Sequence, residues 1–460
     1  MKNYFKIAHW GLVASFLWAA AGSLAHYEEI RWDWATIDTQ QLSFPSNFLW
    51  GVGVSEYQIS GAKNCPDSNW ATWEKKQKTH LSGNACDSWN KRDQMVDCVQ
   101  QIGAKSLRLS LEWSIIEPVE GEFDNTAIEH YKDLCGTLLA QGITPVLTLH
   151  HFTHPEWFEK KQAFEKRENT FYFVRFCTTM FKALGDKVHM WCTINEPTVY
   201  MLQGYMRGVY PPGKCNMGLA GKVLKNLLDA HVQVYKKIKQ LPHGDAAQIG
   251  IVHNVLQFHP YDKNGRLENM ICKVMNNIMN DSVINFFKKG KFKFRIPLLA
   301  NLAEKNIDAI DSLDFIGLNY YSHVLLQYNG TWSNFIAEGY RDCDIKTDMP
   351  YPVYAEGMYD AIERVSVLNT PIYITENGIA DKNDDRRELF INRYMYALSQ
   401  AIADGYDVRG YFYWSLFDNF EWDMGYTQKF GLYDFNFDTH TPTLRPGAAA
   451  FSAVVKKFSA

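Results

Sequence analysis

The sequence predicts an α/β fold of one domain, in which eight parallel strands close into a (β/α)8 barrel. Short apolar runs rich in β-branched and aromatic residues recur eight times, and stretches of helical periodicity separate them. Strands alternating with helices form a parallel sheet covered on both faces, and eight units close it. The runs occupy residues 48–55, 106–113, 144–152, 189–196, 248–255, 313–321, 371–378 and 410–418.

The stretches between the runs are expected to be helices on the outside of the barrel. Two clear examples, residues 127–142 and 389–405, are amphipathic and end on glycine, a common helix stop. The alternative is an open doubly wound sheet. Such a sheet usually carries a glycine-rich phosphate turn after its first strand, and "GVGVSE" at 51–56 lacks the third glycine.

The N-terminus has the pattern of a secretory signal peptide. "MKNYFK" supplies positive charge, an apolar stretch follows, and "SLA" gives a small-residue cleavage site after Ala25. We therefore expect a signal peptide at 1–25, a lead segment at 26–40, a catalytic domain at 41–458 and an extracytoplasmic location. The alternative, an uncleaved membrane anchor, is disfavoured because the apolar stretch is short and contains His9.

Composition narrows the classes of partner. The 460 residues are 46% hydrophobic and 21% charged, with a net charge of −4 and no basic stripe, so nucleic-acid binding is not expected. The nine cysteines show no C-x-x-C pair or zinc-like spacing. In an oxidising compartment, one or two disulfides would fit among the loop cysteines, and glycosylation sequons occur at two positions. These residues are Cys65, Cys86, Cys215 and Cys343, and Asn280 and Asn329.

Polar and aromatic residues follow the predicted strands, where barrel enzymes carry their active sites. "TINEP" ends the fourth run with Asn195 and Glu196, and "ITENG" ends the seventh with Glu376 and Asn377. Taken alone, a glutamate at a strand end commonly faces water. Two such glutamates on opposite strands would instead face each other across the barrel mouth. One carboxyl group as acid and one as nucleophile or base is the arrangement that glycosidic cleavage requires.

The chain resembles glycoside hydrolase family 1, the retaining β-glucosidase family. The resemblance rests on the two glutamate motifs, on "NFEWDMGY" at 419–426 and on "FPSNFLWGVGVSEYQISGA" at 44–62, and it extends over residues 41–458. It implies a barrel enzyme that hydrolyses terminal β-D-glycosides by double displacement. The expected substrate is a small β-glycoside or oligosaccharide, β-glucosides first, with no cofactor and no metal.

The resemblance also implies roles for individual residues. Glu376 corresponds to the nucleophile and Glu196 to the acid/base, while Asn195 matches the amide that holds the sugar 2-hydroxyl. Arg108 and Tyr321 match the pair that orients the nucleophile. An arginine beside one glutamate favours its charged form, whereas the other glutamate is expected to hold a proton. The retaining outcome implies carboxyl groups about 5–5.5 Å apart.

A further set of residues matches the positions that bind the sugar itself. They would bond its hydroxyls, lie near the acid/base, or form the aromatic floor and wall under the ring. The set is Gln58, His151, Asn319, Trp414, Glu421, Trp422 and Phe430.

Some of these residues could instead have a purely structural role. Arg108 could belong to an ion pair inside the barrel, and Trp414 could be plain core. A metal site is an alternative for the three nearby histidines, His150, His151 and His154. It is disfavoured because adjacent residues on a strand, such as the first two, point to opposite faces.

Three departures from the family pattern put the sugar and aglycone preference in doubt. Phe152 stands where tryptophan is usual, Thr153 where aspartate is usual and Ser60 where glutamate is usual. Glu421 argues against the 6-phosphoglycosidase branch, because a carboxylate repels phosphate. The loop at 327–352 is expected to shape the aglycone entrance.

Two other functions stay possible for this chain. A catalytically silent carbohydrate-binding relative usually lacks one catalytic glutamate, and this chain has both. A transglycosylase would need the same residues and would differ in how well the aglycone site excludes water. The sequence does not separate the latter from a hydrolase.

Overall fold

The computed structural model of the protein describes residues 29–78, 80–327 and 337–459. Within them, eight parallel strands form a closed barrel in chain order, which confirms the predicted fold class. Seven of the predicted runs contain one strand each, and the eighth, 410–418, overlaps a strand that begins two residues earlier, at Val408. The strands are β1 (Leu49–Gly53), β2 (Ser106–Ser110), β3 (Thr144–His150), β4 (Met190–Asn195), β5 (Gln248–Asn254), β6 (Phe315–Asn319), β7 (Ile372–Asn377) and β8 (Val408–Trp414).

Helices cover the outside of the barrel. The two predicted examples are confirmed as Asn125–Ala140 and Arg387–Ala403, and the glycines that follow them, Gly142 and Gly405, adopt positive φ values of 70° and 94°. The described α-helices are α1 (Glu56–Asn64), α2 (Asn69–Gln77), α3 (Arg92–Ile102), α4 (Trp113–Ile116), α5 (Asn125–Ala140), α6 (Glu156–Lys160), α7 (Thr170–Leu184), α8 (Pro197–Met201), α9 (Met217–Ile238), α10 (Arg266–Asn276), α11 (Ser282–Lys289), α12 (Glu356–Ser366), α13 (Arg387–Ala403) and α14 (Ala448–Phe458).

Short accessory strands lie outside the barrel. Gln257–Pro260 and His323–Gln327 follow the carboxyl ends of β5 and β6, and they pair in parallel. His323–Gln327 also pairs with Ala337–Glu338. Because both strands continue from the carboxyl ends of barrel strands, this small sheet lies at the mouth where the site is expected. Two antiparallel hairpins complete the set, Lys291–Ile296 with Ala300–Lys305 and Tyr433–Asn436 with Thr441–Leu444.

The barrel interior is a packed core rather than a pore. Apolar side chains from several strands fill it, among them Val146, Val252, Phe315 and Phe412. Gly51 on β1 makes room for this packing, since a Cβ there would lie 2.4 Å from the Phe412 ring. Glycine is therefore required at this position by close approach.

The predicted disulfides are wrong in this structure, because all nine cysteines are free. Cys65 and Cys86 are buried, whereas Cys215 and Cys343 are exposed on separate loops. Asn280 is fully buried and donates to the Leu256 carbonyl, so the folded chain does not offer this sequon to a glycosylating enzyme.

Some predictions concern parts of the chain that the structure leaves undescribed. The signal peptide and Asn329 lie outside the described residues. Among the helices that are described, none combines the length and apolarity needed to cross a membrane.

Candidate active site

The two glutamates singled out in the sequence lie at the carboxyl ends of β4 and β7, which are three strands apart around the barrel. Glu196 follows the last residue of β4, and Glu376 is the penultimate residue of β7. The pairing of each strand with a neighbour shifts register just before them, between Cys192 and Asn195 on β4 and between Ile374 and Glu376 on β7. Such irregularities re-aim side chains at a strand end.

Glu376 is held by a cation and a hydroxyl group. Arg108 Nη1 donates to Glu376 Oε1 at 2.5 Å, and the Tyr321 hydroxyl donates to Oε2 at 2.7 Å. Arg108 is 1% exposed. Burial alone would lower the pKa of Arg108, but Glu376, together with smaller contributions from Cys192 and Glu196, raises the pKa overall. Burial and then Glu376 raise the pKa of Tyr321, so this side chain stays a donor.

Glu196 has only amide donors around its carboxyl group among the described bonds. Asn254 Nδ2 and Asn319 Nδ2 both donate to Glu196 Oε1, at 2.7 and 2.8 Å. Burial, and then the charge of Glu376, raise the pKa of Glu196 to about 8. Its backbone is left-handed (φ 45°), a strained conformation of the kind that clusters at functional sites.

A chain of hydrogen bonds connects the two glutamates. Asn195 Oδ1 accepts from Arg108 Nη2 at 2.6 Å and from Asn319 Nδ2 at 3.3 Å. Arg108 also bonds Glu376, and Asn319 also bonds Glu196. The two carboxyl groups therefore belong to one positioned network, which limits how far either can move.

The residues expected to bind sugar hydroxyls form a second polar group. Gln58 Nε2 donates to Asn419 Oδ1 at 3.1 Å and to Glu421 Oε2 at 3.3 Å. His151 Nε2 lies 3.2 Å from Asn195 Nδ2. Within the described structure, Gln58 Oε1 and His151 Nδ1 are buried and have no hydrogen-bond partner. Buried polar atoms of this kind carry a free-energy cost that a bound hydroxyl would relieve.

The electrostatics of Glu421 change one argument made from the sequence. Burial, and then the charge of Glu376, raise the pKa of Glu421 to about 8. This carboxyl group is therefore mostly protonated at neutral pH, and charge repulsion of a phosphate is weaker than expected. The cavity walls then offer a phosphorylated sugar no cationic partner, since the described lining residues include no lysine or arginine.

Aromatic rings line the same region. The His151 ring lies nearly parallel to the rings of Trp414 and Trp422, with centroids 5.8 and 6.1 Å away. Phe430 packs edge-on against Tyr321 at 5.9 Å. Trp414 is 3% exposed and lines the cavity, so it serves both as core and as cavity surface.

A cavity of about 170 Å³ contains both glutamates. Nine of the twelve predicted site residues line it, and the other three, Arg108, Asn319 and Gln58, bond to lining residues from behind. The nine are Asn195, Glu196, His151, Tyr321, Glu376, Trp414, Glu421, Trp422 and Phe430. A larger cavity of about 280 Å³ shares Trp422 with it but includes neither glutamate, so the smaller one is the candidate active site.

Several strand-end residues point elsewhere. His150 bonds His154, Asn377 bonds the Tyr320 carbonyl, and Asp418 pairs with Arg445 at 2.6 Å. Their side chains support the walls, because a strand presents alternate residues to opposite faces.

Asn254 is a residue of the cavity wall that sequence reasoning missed. It is the last residue of β5, a strand on which no site residue was predicted, and it bonds Glu196. The signal was present, because an amide does close the run "QIGIVHN".

The departures from the family pattern have local explanations. Glu56, one helical turn before Ser60, receives a hydrogen bond from the Ser60 hydroxyl and supplies a carboxyl group beside it. Thr153 donates to buried Glu112 at 2.6 Å. Phe152 lines the cavity and packs edge-on against Trp422 at 5.3 Å. The described residues include no group of three or more histidine, cysteine or acidic side chains suited to a metal ion.

Comparison with known proteins gives one consistent result. The profile of glycosyl hydrolase family 1 matches residues 40–459. Beta-glucosidase A of Acetivibrio thermocellus is 30% identical over 456 residues, covering 90% of this chain and 99% of that protein. Beta-galactosidase of Pyrococcus woesei is 27% identical, covering 86% and 93%. The solved beta-glycosidase from Pyrococcus horikoshii superposes with a TM-score of 0.82 at 32% identity, covering 91% and 96%.

Proposed function

Since the chain belongs to glycosyl hydrolase family 1, we propose that it is a retaining β-glycosidase that prefers β-glucosides. It is a glycosyl hydrolase of β-glucosidase type.

One observation carries the assignment of roles, namely the different surroundings of the two glutamates. Glu376 accepts hydrogen bonds from a guanidinium and a phenol, which orient its carboxyl group for attack. Glu196 bonds two neutral amides in a buried position, and its pKa of about 8 keeps a proton at neutral pH. A protonated carboxyl group opposite a charged one is the division of labour in glycoside cleavage.

The proposed reaction has two steps. Glu376 attacks the anomeric carbon while Glu196 protonates the leaving oxygen, so the glycosidic bond breaks and a glycosyl ester forms on Glu376. Glu196, now ionised, takes a proton from water, which attacks the anomeric carbon and releases the sugar and Glu376. Arg108 and Tyr321 hold the carboxyl group of Glu376 in place in both steps.

Sugar recognition is assigned to the polar and aromatic group beside the glutamates. The unpartnered atoms Gln58 Oε1 and His151 Nδ1, together with Glu421, would bond hydroxyls of the glycone. The flat faces of Trp414 and Trp422 suit the apolar face of a pyranose ring.

The test is hydrolysis of p-nitrophenyl β-D-glucoside beside the galacto, manno and fuco analogues. The proposal predicts turnover by the wild type, with the glucoside cleaved best, and its loss in Glu376→Ala. Glu196→Ala should recover turnover when azide is added, because azide attacks the glycosyl ester without needing a base. Folded wild-type protein that cleaves none of these substrates would overturn the proposal.

We further propose that the chain acts outside the cytoplasm after removal of residues 1–25. The pattern of charge, apolar stretch and cleavage site supports this location. N-terminal sequencing of protein expressed with its full leader tests it, and an intact N-terminus on the cytoplasmic protein would contradict it.

A further inference from the structure

The segment that precedes the barrel contacts the loop that forms one side of the catalytic cavity. We name residues 29–34 the lead strap and residues 340–354 the entrance loop. The family match begins at residue 40, so the lead strap lies outside the part of the chain that the family shares.

The C-terminal part of the lead strap is fixed to two barrel helices. The Trp32 backbone amide and the Trp34 indole both donate to Glu356 Oε1, at 3.1 and 3.0 Å. The Trp32 ring packs edge-on against Tyr359 of α12 and Tyr396 of α13, with centroids 6.1 and 5.8 Å away. This end of the strap is therefore anchored on the barrel.

The N-terminal part of the lead strap contacts the entrance loop through two ion pairs. Arg341 Nη1 donates to both carboxylate oxygens of Glu29, at 2.5 and 2.6 Å, and Arg31 Nη2 lies 3.1 Å from Asp344 Oδ1. The side chains of Glu29 and Asp344 are only 4% and 0% exposed. Asp344 also accepts from the Arg341 backbone amide at 2.8 Å, so the two pairs form one network.

The end of the entrance loop that pairs with the lead strap is hydrogen-bonded to the part of the loop that lines the cavity. The Tyr340 hydroxyl donates to the Met349 carbonyl, and the Thr347 hydroxyl donates to the Tyr351 carbonyl at 2.6 Å. Met349 and Tyr351 both line the cavity that contains the two glutamates. A shift at Arg341 would therefore move these two side chains.

Glu29 also reaches a second wall of the cavity. Its Oε1 lies 4.0 Å from Nδ1 of His323, which lines the cavity and stacks on Tyr354 with centroids 3.9 Å apart. His323, Met349 and Tyr351 are not among the residues assigned to glycone binding or to the chemistry. They are thus available to contact the group that leaves.

We propose that the lead strap, through Glu29 and Arg31, positions the entrance loop and thereby determines the affinity for a ring-sized leaving group. The ring would be aromatic or a second sugar, because the loop offers an aromatic and a thioether side chain. This inference rests on the proposed β-glycosidase function. Glu29 and Arg31 are positioning residues, since they act through the loop and do not touch the substrate.

The test compares two substrates with the same sugar. β-D-Glucosyl fluoride releases a single atom and leaves the aglycone region empty, whereas 4-methylumbelliferyl β-D-glucoside fills it with two fused rings. The variants are Glu29→Gln and Arg31→Gln. Asp38→Asn is the matched control, because it removes one carboxylate from the same lead segment. Asp38 is exposed, and in the described contacts its side chain bonds only the nearby Gln40 amide, at 3.0 Å.

We expect both variants to raise KM for the umbelliferyl glucoside about fivefold while KM and kcat for the fluoride change less than about twofold, since small displacements at a binding group impair positioning. The control should match the wild type on both substrates. Circular dichroism of each variant checks folding, and the ratio between the two substrates is insensitive to the fraction of folded protein.

Equal changes on both substrates, or no change on either in folded variants, would overturn the inference. A wild type that cleaves neither substrate would instead overturn the proposed function, and this inference with it. The two failures are therefore distinguishable.

Discussion

The hydrogen bonds around Glu196 predict how one substitution shifts the pH dependence of the reaction. Asn254 and Asn319 both donate to Glu196 Oε1, and both bonds stabilise the ionised carboxylate. Asn254→Leu removes one donor and keeps the approximate size of the side chain. The charged form of Glu196 loses stability, so its pKa must rise rather than fall.

The size of the shift follows from the energy of one hydrogen bond. A hydrogen bond to a charged group contributes about 1.5–3 kcal/mol. Asn319 keeps its bond to the same oxygen, so we take the lower end of this range. One pKa unit corresponds to about 1.4 kcal/mol, which moves the pKa of Glu196 from about 8 to about 9.

The assay is the pH profile of kcat/KM for phenyl β-D-glucoside, whose leaving group needs a proton. The alkaline limb reports loss of the proton from Glu196 in the free enzyme. Because the protonated form is active, the limb should move to higher pH by about one unit in Asn254→Leu.

Two controls assign the limb to Glu196. Glu196→Gln should abolish it, and 2,4-dinitrophenyl β-D-glucoside, whose leaving group needs no acid, should show no such shift. An alkaline limb that stays in place or moves to lower pH in Asn254→Leu would refute the reasoning.

Three other predictions concern the nucleophile, the barrel core and a strand-end residue. Tyr321→Phe removes the hydroxyl donor to the nucleophile and should lower kcat by about tenfold to a hundredfold, measured on the p-nitrophenyl glucoside. Gly51→Ala forces a methyl group against a phenylalanine ring and should destabilise the fold by about 1–3 kcal/mol, measured by urea unfolding. Asp418→Asn breaks a buried ion pair and should lower the free energy of unfolding by about 3 kcal/mol while KM stays unchanged. A raised KM would mean that Asp418 serves the site.

The barrel strands were predictable because buried parallel strands are continuous apolar runs. The run at 371–378 contains β7, Ile372–Asn377, and the run at 313–321 contains β6, Phe315–Asn319. Eight such runs leave few other ways to cover both faces of a sheet. The pattern also placed Glu196 and Glu376 at the same end of the barrel, because parallel strands share their carboxyl end.

The directions of individual side chains were harder to predict. Strand ends twist and bulge, so proximity in sequence did not reveal that Asn377 and Asp418 turn away from the cavity while Asn254 turns towards it. The charge of Glu421 was also mispredicted, because its raised pKa depends on burial beside Glu376. Such burial exists only once the chain has folded.

Loop directions and the state of the cysteines were the features least predictable from the sequence, and the expected disulfides do not form. Loop composition does not specify direction, so the placement of Met349 and Tyr351 in the cavity wall required the structure. The sequence likewise did not reveal that Glu56 supplies a carboxyl group beside position 60, where the family usually has glutamate. This depends on one helical turn, which brings the side chain of Glu56 next to Ser60.

The measurement that tests the central claim most directly is proton NMR of the sugar released in the first minutes of hydrolysis. Double displacement through Glu376 predicts that the β-anomer appears first and then equilibrates with the α-anomer. In parallel, a 2-deoxy-2-fluoroglucoside should leave a sugar label on the peptide that contains Glu376. First appearance of the α-anomer, or a label on a different peptide, would contradict the account.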